Sequence, residues 1–107
     1  MSVGIAQVLV HHAEVKRPAE GVHRSRVEAC LRAMEARDAL RAGADFDEVV
    51  ARYSDEAGAA TRGGKLGSVR REELVAPVAD AAFELEPGQL SDVVETELGF
   101  HVLLRTD

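Results

Sequence analysis

Apolar, β-branched segments stand at both ends of this chain, and every helical pattern lies between them. VGIAQVLVHH predicts a strand from Val3 to about Val10, and GFHVLLRT predicts a closing strand. SDVVET, just before the closing segment, predicts a further strand joined to it by a tight turn around Glu97 to Gly99. The first strand is expected beside the last, which would draw the two ends of the chain into one sheet.

The middle of the chain supplies helices. Ser25 and Glu28 have the spacing of a capping box, and Val27, Leu31 and Met34 continue at helical intervals. That helix is expected to run to about Ala42 and stop at Gly43. Asp45 and Glu48 repeat the capping signature before a second helix with Phe46, Val49, Val50 and Tyr53 on its apolar face. Pro77 suits a first helical turn, and Val78, Ala82 and Leu85 mark a third helix face. LGSVR predicts a short strand, and Pro87 with Gly88 a turn. AEVKRPAEGVHR, broken by Pro18 and Gly21, is a loop after the first strand. With no repeat or internal linker, 107 residues form a single domain spanning 1–107. Helices inserted between strands, with a terminal hairpin, indicate an α+β fold with a mainly antiparallel sheet.

Composition narrows the function. Thirteen basic and nineteen acidic residues leave a formal charge of −6, which disfavours nucleic acid. The single cysteine, Cys30, excludes an intramolecular disulfide and a cysteine zinc cage, and its helical setting suggests a buried thiol. No apolar run approaches the ~20 residues of a membrane span, and no secretion leader is visible. The expectation is a soluble cytoplasmic domain, exported if trimmed from a larger protein. His11 and His12, adjacent on a strand, point to opposite faces, and no HExxH pattern occurs, so no metal is expected. TRGGKLG lacks the spacing of a P-loop. Ser54 has no GxSxG elbow to support nucleophilic chemistry with His101.

What remains is YSDEAGAATRGGKLG, Tyr53 to Gly67, a long polar stretch between packed elements with at most a helical turn around Glu56 to Ala60. His101 lies on the strand face opposite Phe100, Val102 and Leu104. A lone sheet histidine is either structural or part of a site. Ser54, Glu56 and His101 are the polar groups that could meet at one sheet face, beside Leu66 and Leu74.

These segments, with PVADAAFELEPGQLSDVVETELGFHVLLRTD and VLVHH, resemble the parvulin family of peptidyl-prolyl cis/trans isomerases from about Ile5 to Asp107. The specific part is the order: a YSD…RGG-LG loop, then AAFxLxPGQxS, then a closing GxH strand. The resemblance implies a four-stranded antiparallel sheet surrounded by about four helices. It also implies an apolar proline pocket at Leu66, Leu74 and Val78, with Val69 nearby. The family's cysteine-or-aspartate position falls on Glu56, its C-terminal histidine on His101, and its hydroxyl positions on Ser54 and Thr96. Its N-terminal histidine falls on Gln7, which can donate and accept hydrogen bonds but cannot titrate. Leu74 and Val78 are smaller than the residues many members carry there. In the phosphate-directed branch a basic pair precedes the loop proline; here those positions are Lys16 and Arg17, with a further basic position on His11. The cations are either an anion site or solvated surface. The implied activity is rotation about X–Pro bonds in peptides or client proteins, by a monomer without cofactor. The alternative is a peptide-binding or chaperone module that keeps the groove without catalysis.

Overall fold

The computed structural model describes residues 1–16 and 18–107. Two strands, β1 (Ser2–Val10) and β4 (Gly99–Arg105), form its centre, pairing antiparallel from Ile5 opposite Arg105 to Val10 opposite Phe100. β2 (Lys65–Arg70) pairs with the other edge of β1, and β3 (Val94–Thr96) with the other edge of β4. The strand order is β2-β1-β4-β3, antiparallel throughout.

Period-two alternation divides the sheet into two faces. Val8, Val10, Phe100 and Val102 lie under α1 (Arg26–Arg41) and α2 (Phe46–Tyr53) in one core. Val3, Ile5 and Leu103 point the other way, into a second core with Val78, Ala82 and Leu85 at α4 (Ala76–Glu84). Gln7 and His101 share this second face.

Both predicted caps form. Ser25 Oγ accepts from Glu28 N while Glu28 Oε1 accepts from Ser25 N, a reciprocal box. Asp45 caps α2 by accepting from Asp47 N and Glu48 N. Helix α4 carries Pro77 in its first turn.

Three local expectations are corrected. Helix α1 does not bury Val27, Leu31 and Met34, which are 63%, 59% and 36% exposed. Ala29, Ala33, Ala36 and Leu40 face the sheet instead, because alanines let the helix backbone settle closely over Val8, Val10, Phe100 and Val102. The single helical turn is α3 (Ala59–Arg62), later than expected, set between Gly58 at φ 75° and Gly63 at φ 63°. The strand expected from Ser91 begins only at Val94, since Ser91 substitutes its hydroxyl for a main-chain acceptor: Leu103 N donates to Ser91 Oγ at 2.9 Å. A 3₁₀ turn at Arg71–Glu73, absent from the sequence reading, connects β2 to α4. Cys30 is half-buried against the first core.

The outer strands are poor edges. β3 has three residues, while β2 has Lys65 and Arg70 at its ends, Gly67 at φ 74°, and a register irregularity opposite Ile5 and Ala6.

The reassigned face of α1 is open to a direct test. Leu31→Glu is expected to change stability by no more than about 0.5 kcal/mol, whereas Ala33→Leu is expected to cost about 1–3 kcal/mol by overpacking. Urea unfolding of the two variants measures both, and the reverse ranking would put the wrong face of α1 on the sheet.

Candidate active site

The glycine-rich loop is fastened to the end of β1 before it reaches the site. Leu9 N donates to Ser54 Oγ at 3.1 Å, Asp55 N donates to Leu9 O at 2.7 Å, and His11 N donates to Asp55 Oδ2 at 2.8 Å. Arg24 NH1 adds an ion pair to the same Asp55 oxygen at 2.7 Å and a hydrogen bond to His11 O. Ser54 therefore secures the loop to the β1 main chain and has no bond to the other predicted polar residues. Further along, Gln7 N donates to Gly64 O at 2.9 Å. Gly64 combines φ 71° with a Cβ position 2.4 Å from Gln7 O, so no side chain fits there.

Held in this way, Glu56 meets Gln7. Gln7 Nε2 lies 3.2 Å from Glu56 Oε2, Gln7 Oε1 lies 2.9 Å from His101 Nδ1, and His101 Nε2 lies 2.7 Å from Thr96 Oγ1. Leu98 N donates to the same Thr96 oxygen at 3.1 Å. Four side chains from the loop, β1, β4 and β3 thus form one chain of hydrogen bonds. Gln7 and His101 are diagonal neighbours, because Leu9 is the residue opposite His101 in the ladder.

The chemistry of these groups fixes the direction of every bond. A carboxylate only accepts, so the Gln7 amide turns its NH₂ to Glu56 and its carbonyl oxygen to His101. His101 Nδ1 must then carry the proton and donate. In the neutral ring Nε2 is left as an acceptor, and the Thr96 hydroxyl donates to it. Burial, and secondarily the nearby His11, lowers the His101 pKa to about 4, so the neutral ring is the resting form. At 2% exposure, His101 has both ring nitrogens satisfied inside the protein.

Beside this polar chain lies apolar surface. Leu66, Val69 and Leu74 pack half-buried against Ile5, Leu103 and buried Val78. The four residues expected around a proline ring are therefore in one cluster, on the sheet face that carries Gln7 and His101. Phe83 joins it with the Arg71 guanidinium 4.9 Å above its ring. A separate hollow of about 380 Å³ opens between α4 and β3, lined by Ala81, Glu84, Leu85, Gln89, Leu90, Ser91, Asp92 and Val94. None of the polar chain lines it.

The expected anion site is less complete. Lys16 is exposed, and Arg17 lies outside the described residues. His11 Nδ1 accepts from Ala19 N at 2.9 Å, and burial lowers its pKa despite the opposing influence of Asp55. His11 can offer an Nε2–H donor but not a resident positive charge. Among the described residues no group of three or more His, Cys, Asp or Glu side chains is arranged to hold a metal, and no helix is long and apolar enough to cross a membrane.

Sequence reasoning missed Arg24, Asp55 and Arg62 as supports of the site. Arg24 and Asp55 are 31 residues apart and carry no local signature of their pairing. Arg62, six residues beyond Glu56 within the glycine-rich stretch, was the more accessible signal.

Comparison with known proteins identifies the family. Residues 8–107 match the rotamase family, described as the PPIC-type PPIASE domain. Peptidyl-prolyl cis-trans isomerase pin1 of Schizosaccharomyces pombe is 38% identical over 104 residues, covering 94% of this chain and 59% of that protein. Chaperone SurA of Cupriavidus metallidurans is 36% identical over 99 residues, which cover 92% of this chain and 19% of SurA. The chain thus spans about three fifths of the first relative and a small part of the second. The solved structure of peptidyl-prolyl isomerase ESS1 from Candida albicans superposes with a TM-score of 0.93 at 27% identity, covering 99% of this chain and 63% of that one. With a four-stranded antiparallel sheet and four α-helices among the described residues, and this match over nearly its whole length, the chain belongs to the PPIC-type, or parvulin, family of peptidyl-prolyl cis/trans isomerase domains.

Proposed function

We propose that this domain accelerates cis/trans rotation about X–Pro bonds in peptides and folding client proteins, non-covalently and without a cofactor. The observation that carries the reading is the juxtaposition, on one sheet face, of the Glu56–Gln7–His101–Thr96 chain with the cluster containing Leu66, Val69, Leu74 and Val78. Rotation about a prolyl bond meets a barrier of ~18–20 kcal/mol because the amide loses resonance when twisted. No bond is broken, so the domain needs only to bind the twisted amide better than either planar form. The twisted amide has less charge separation than the planar one, and an apolar pocket that grips the ring and excludes water favours it. The fixed dipoles of the polar chain orient the carbonyl side at no reorganisation cost. Lowering the barrier by ~5 kcal/mol corresponds to a few thousandfold in rate. Gln7 keeps that chain continuous from Glu56 to Thr96.

Exchange spectroscopy on an X–Pro peptide tests the proposal: cis/trans cross-peaks are expected to grow as protein is added. Saturable binding without exchange would instead identify a binding module. Glu56→Ala is expected to slow turnover roughly ten- to hundredfold with the fold intact, the scale of a lost charge-assisted hydrogen bond. Leu74→Ala is expected to slow turnover by enlarging the pocket. Because Leu74 is only half-buried, its stability cost should fall below the ~2–5 kcal/mol of a fully buried leucine.

His101 also gives the protein a pH dependence. Its folded pKa of about 4 lies below the ordinary 6.5, so between these values the unfolded chain binds more protons than the folded one. Stability contributed by the neutral ring is complete above pH 6.5 and is lost as pH falls towards 4; His11 shifts in the same direction. Urea midpoints measured at pH 7, 5.5 and 4.5 are expected to decline, with a shallower decline in His101→Asn. Equal declines in both proteins would assign the effect to other groups.

A modest preference for an acidic residue before proline belongs to the same reading, supported by the exposed Lys16 in the loop after β1. Turnover of Glu-Pro and phosphoserine-Pro peptides should exceed that of Ala-Pro at low salt, and the excess should shrink as salt is added. Equal turnover of all three would leave this loop without a part in recognition.

A further inference from the structure

Glu56 sets the direction of the polar chain, and a group outside that chain holds its other carboxylate oxygen. The contact that does so comes from α3. Arg62 presents its guanidinium to three acceptors at once: Nε donates to Lys65 O at 3.1 Å, NH1 donates to Ala57 O at 3.2 Å, and NH2 lies 3.3 Å from Glu56 Oε1. Two contacts close the loop around α3, and the third reaches the carboxylate on the side away from Gln7. The Glu56 oxygen facing Arg62 is buried and has no aligned hydrogen bond, so its charge is balanced by the guanidinium at that distance. A planar fork meets this geometry where a single ammonium cannot satisfy all three acceptors. Gly58 belongs to the same arrangement, since a Cβ there would sit 3.0 Å from Arg62 NH1.

Two proton arrangements are available to the chain beyond Glu56. If the Gln7 amide turned over, its NH₂ would face His101 and Nδ1 would become the acceptor. The ring proton would move to Nε2 and donate to Thr96, whose hydroxyl hydrogen would then be released. Both arrangements keep the Gln7–His101 and His101–Thr96 bonds, but the second turns the Gln7 oxygen against the carboxylate at position 56, which cannot donate to it, so that carboxylate selects the first.

We infer that Arg62 is a positioning residue that, through Glu56 and Gln7, holds His101 as a single Nδ1–H tautomer. Arg62 keeps the acceptor-only group aimed at Gln7; Gln7 passes that polarity to the imidazole; and Thr96 completes it. The consequence for turnover rests on the isomerase reading, whereas the tautomer itself does not.

Nitrogen-15 NMR of the imidazole in the peptide-free protein decides the matter, with amide spectra confirming that each variant is folded. In the wild type, His101 Nδ1 is expected to resonate as protonated and Nε2 as unprotonated. Glu56→Gln preserves the size and loop contacts of residue 56 but can present a donor to Gln7, and both tautomers are expected. Arg62→Gln can still bond loop carbonyls but lacks the charge, so a mixture is again expected, with Arg62→Lys closer to wild type. Turnover should fall about tenfold in both glutamine variants, the scale of one charge-assisted hydrogen bond. A single Nδ1–H tautomer persisting in folded Glu56→Gln or Arg62→Gln, or an Nε2–H ring in the wild type, overturns the inference. Absence of isomerisation by the wild type would overturn the proposed activity and leave the tautomer result standing.

Discussion

The register between β1 and β4 joins residues almost a hundred positions apart, and the site depends on it. Leu9 opposite His101 places Gln7 diagonally across from the imidazole on the same face. A slip of one residue would turn Gln7 and Ile5 into the core beneath α1 and bring Val8 and Val10 to the open face. The register is specified by burial on both faces, since Val8, Val10 and Val102 are fully inside one core and Ile5 and Leu103 inside the other. Hydrophobic packing on both faces thus sets the geometry of a polar contact on one of them.

Much of this architecture is legible in the sequence because it is encoded locally. The terminal strands are short, β-branched runs; the caps at Ser25 and Asp45 are satisfied within three residues; Pro77 marks its own helix start. The face of α1 was not legible, because the helix carries two stripes and the bulkier one is exposed. Alanine stripes carry little hydrophobic contrast, and their value appears only when the opposing sheet is known to fill the space. β3 was overextended for a related reason: the substitution of Ser91 Oγ for a main-chain acceptor depends on Leu103, twelve residues away.

For the site, the positions of Glu56, Gln7, His101 and Thr96 came from the resemblance, and the structure brings them into one chain. Ser54 stands apart from that chain, its hydroxyl oxygen accepting from Leu9 N. Pattern alone offered no sign that Arg24 would pin the first half of the loop, and for Arg62 it offered only closeness in sequence to Glu56. Long side chains choose partners by three-dimensional proximity, and no period in the sequence records that choice. Glutamine at position 7 reads as a loss from the family pattern, yet its two-ended amide carries a hydrogen-bond direction across the sheet much as an imidazole would, without its own titration.

The irregular rims of the sheet bear on how the protein behaves in company. An extended polypeptide drawn to this surface could add itself as another strand wherever a long straight edge offered unpaired amides and carbonyls. Neither rim offers that: β3 is three residues long, and β2 has an irregular register at Gly67 and ends in Lys65 and Arg70. The same devices that deny a passing peptide a template also deny one to a second copy of the domain, so crowding at high concentration has no ready seam along which to build fibres.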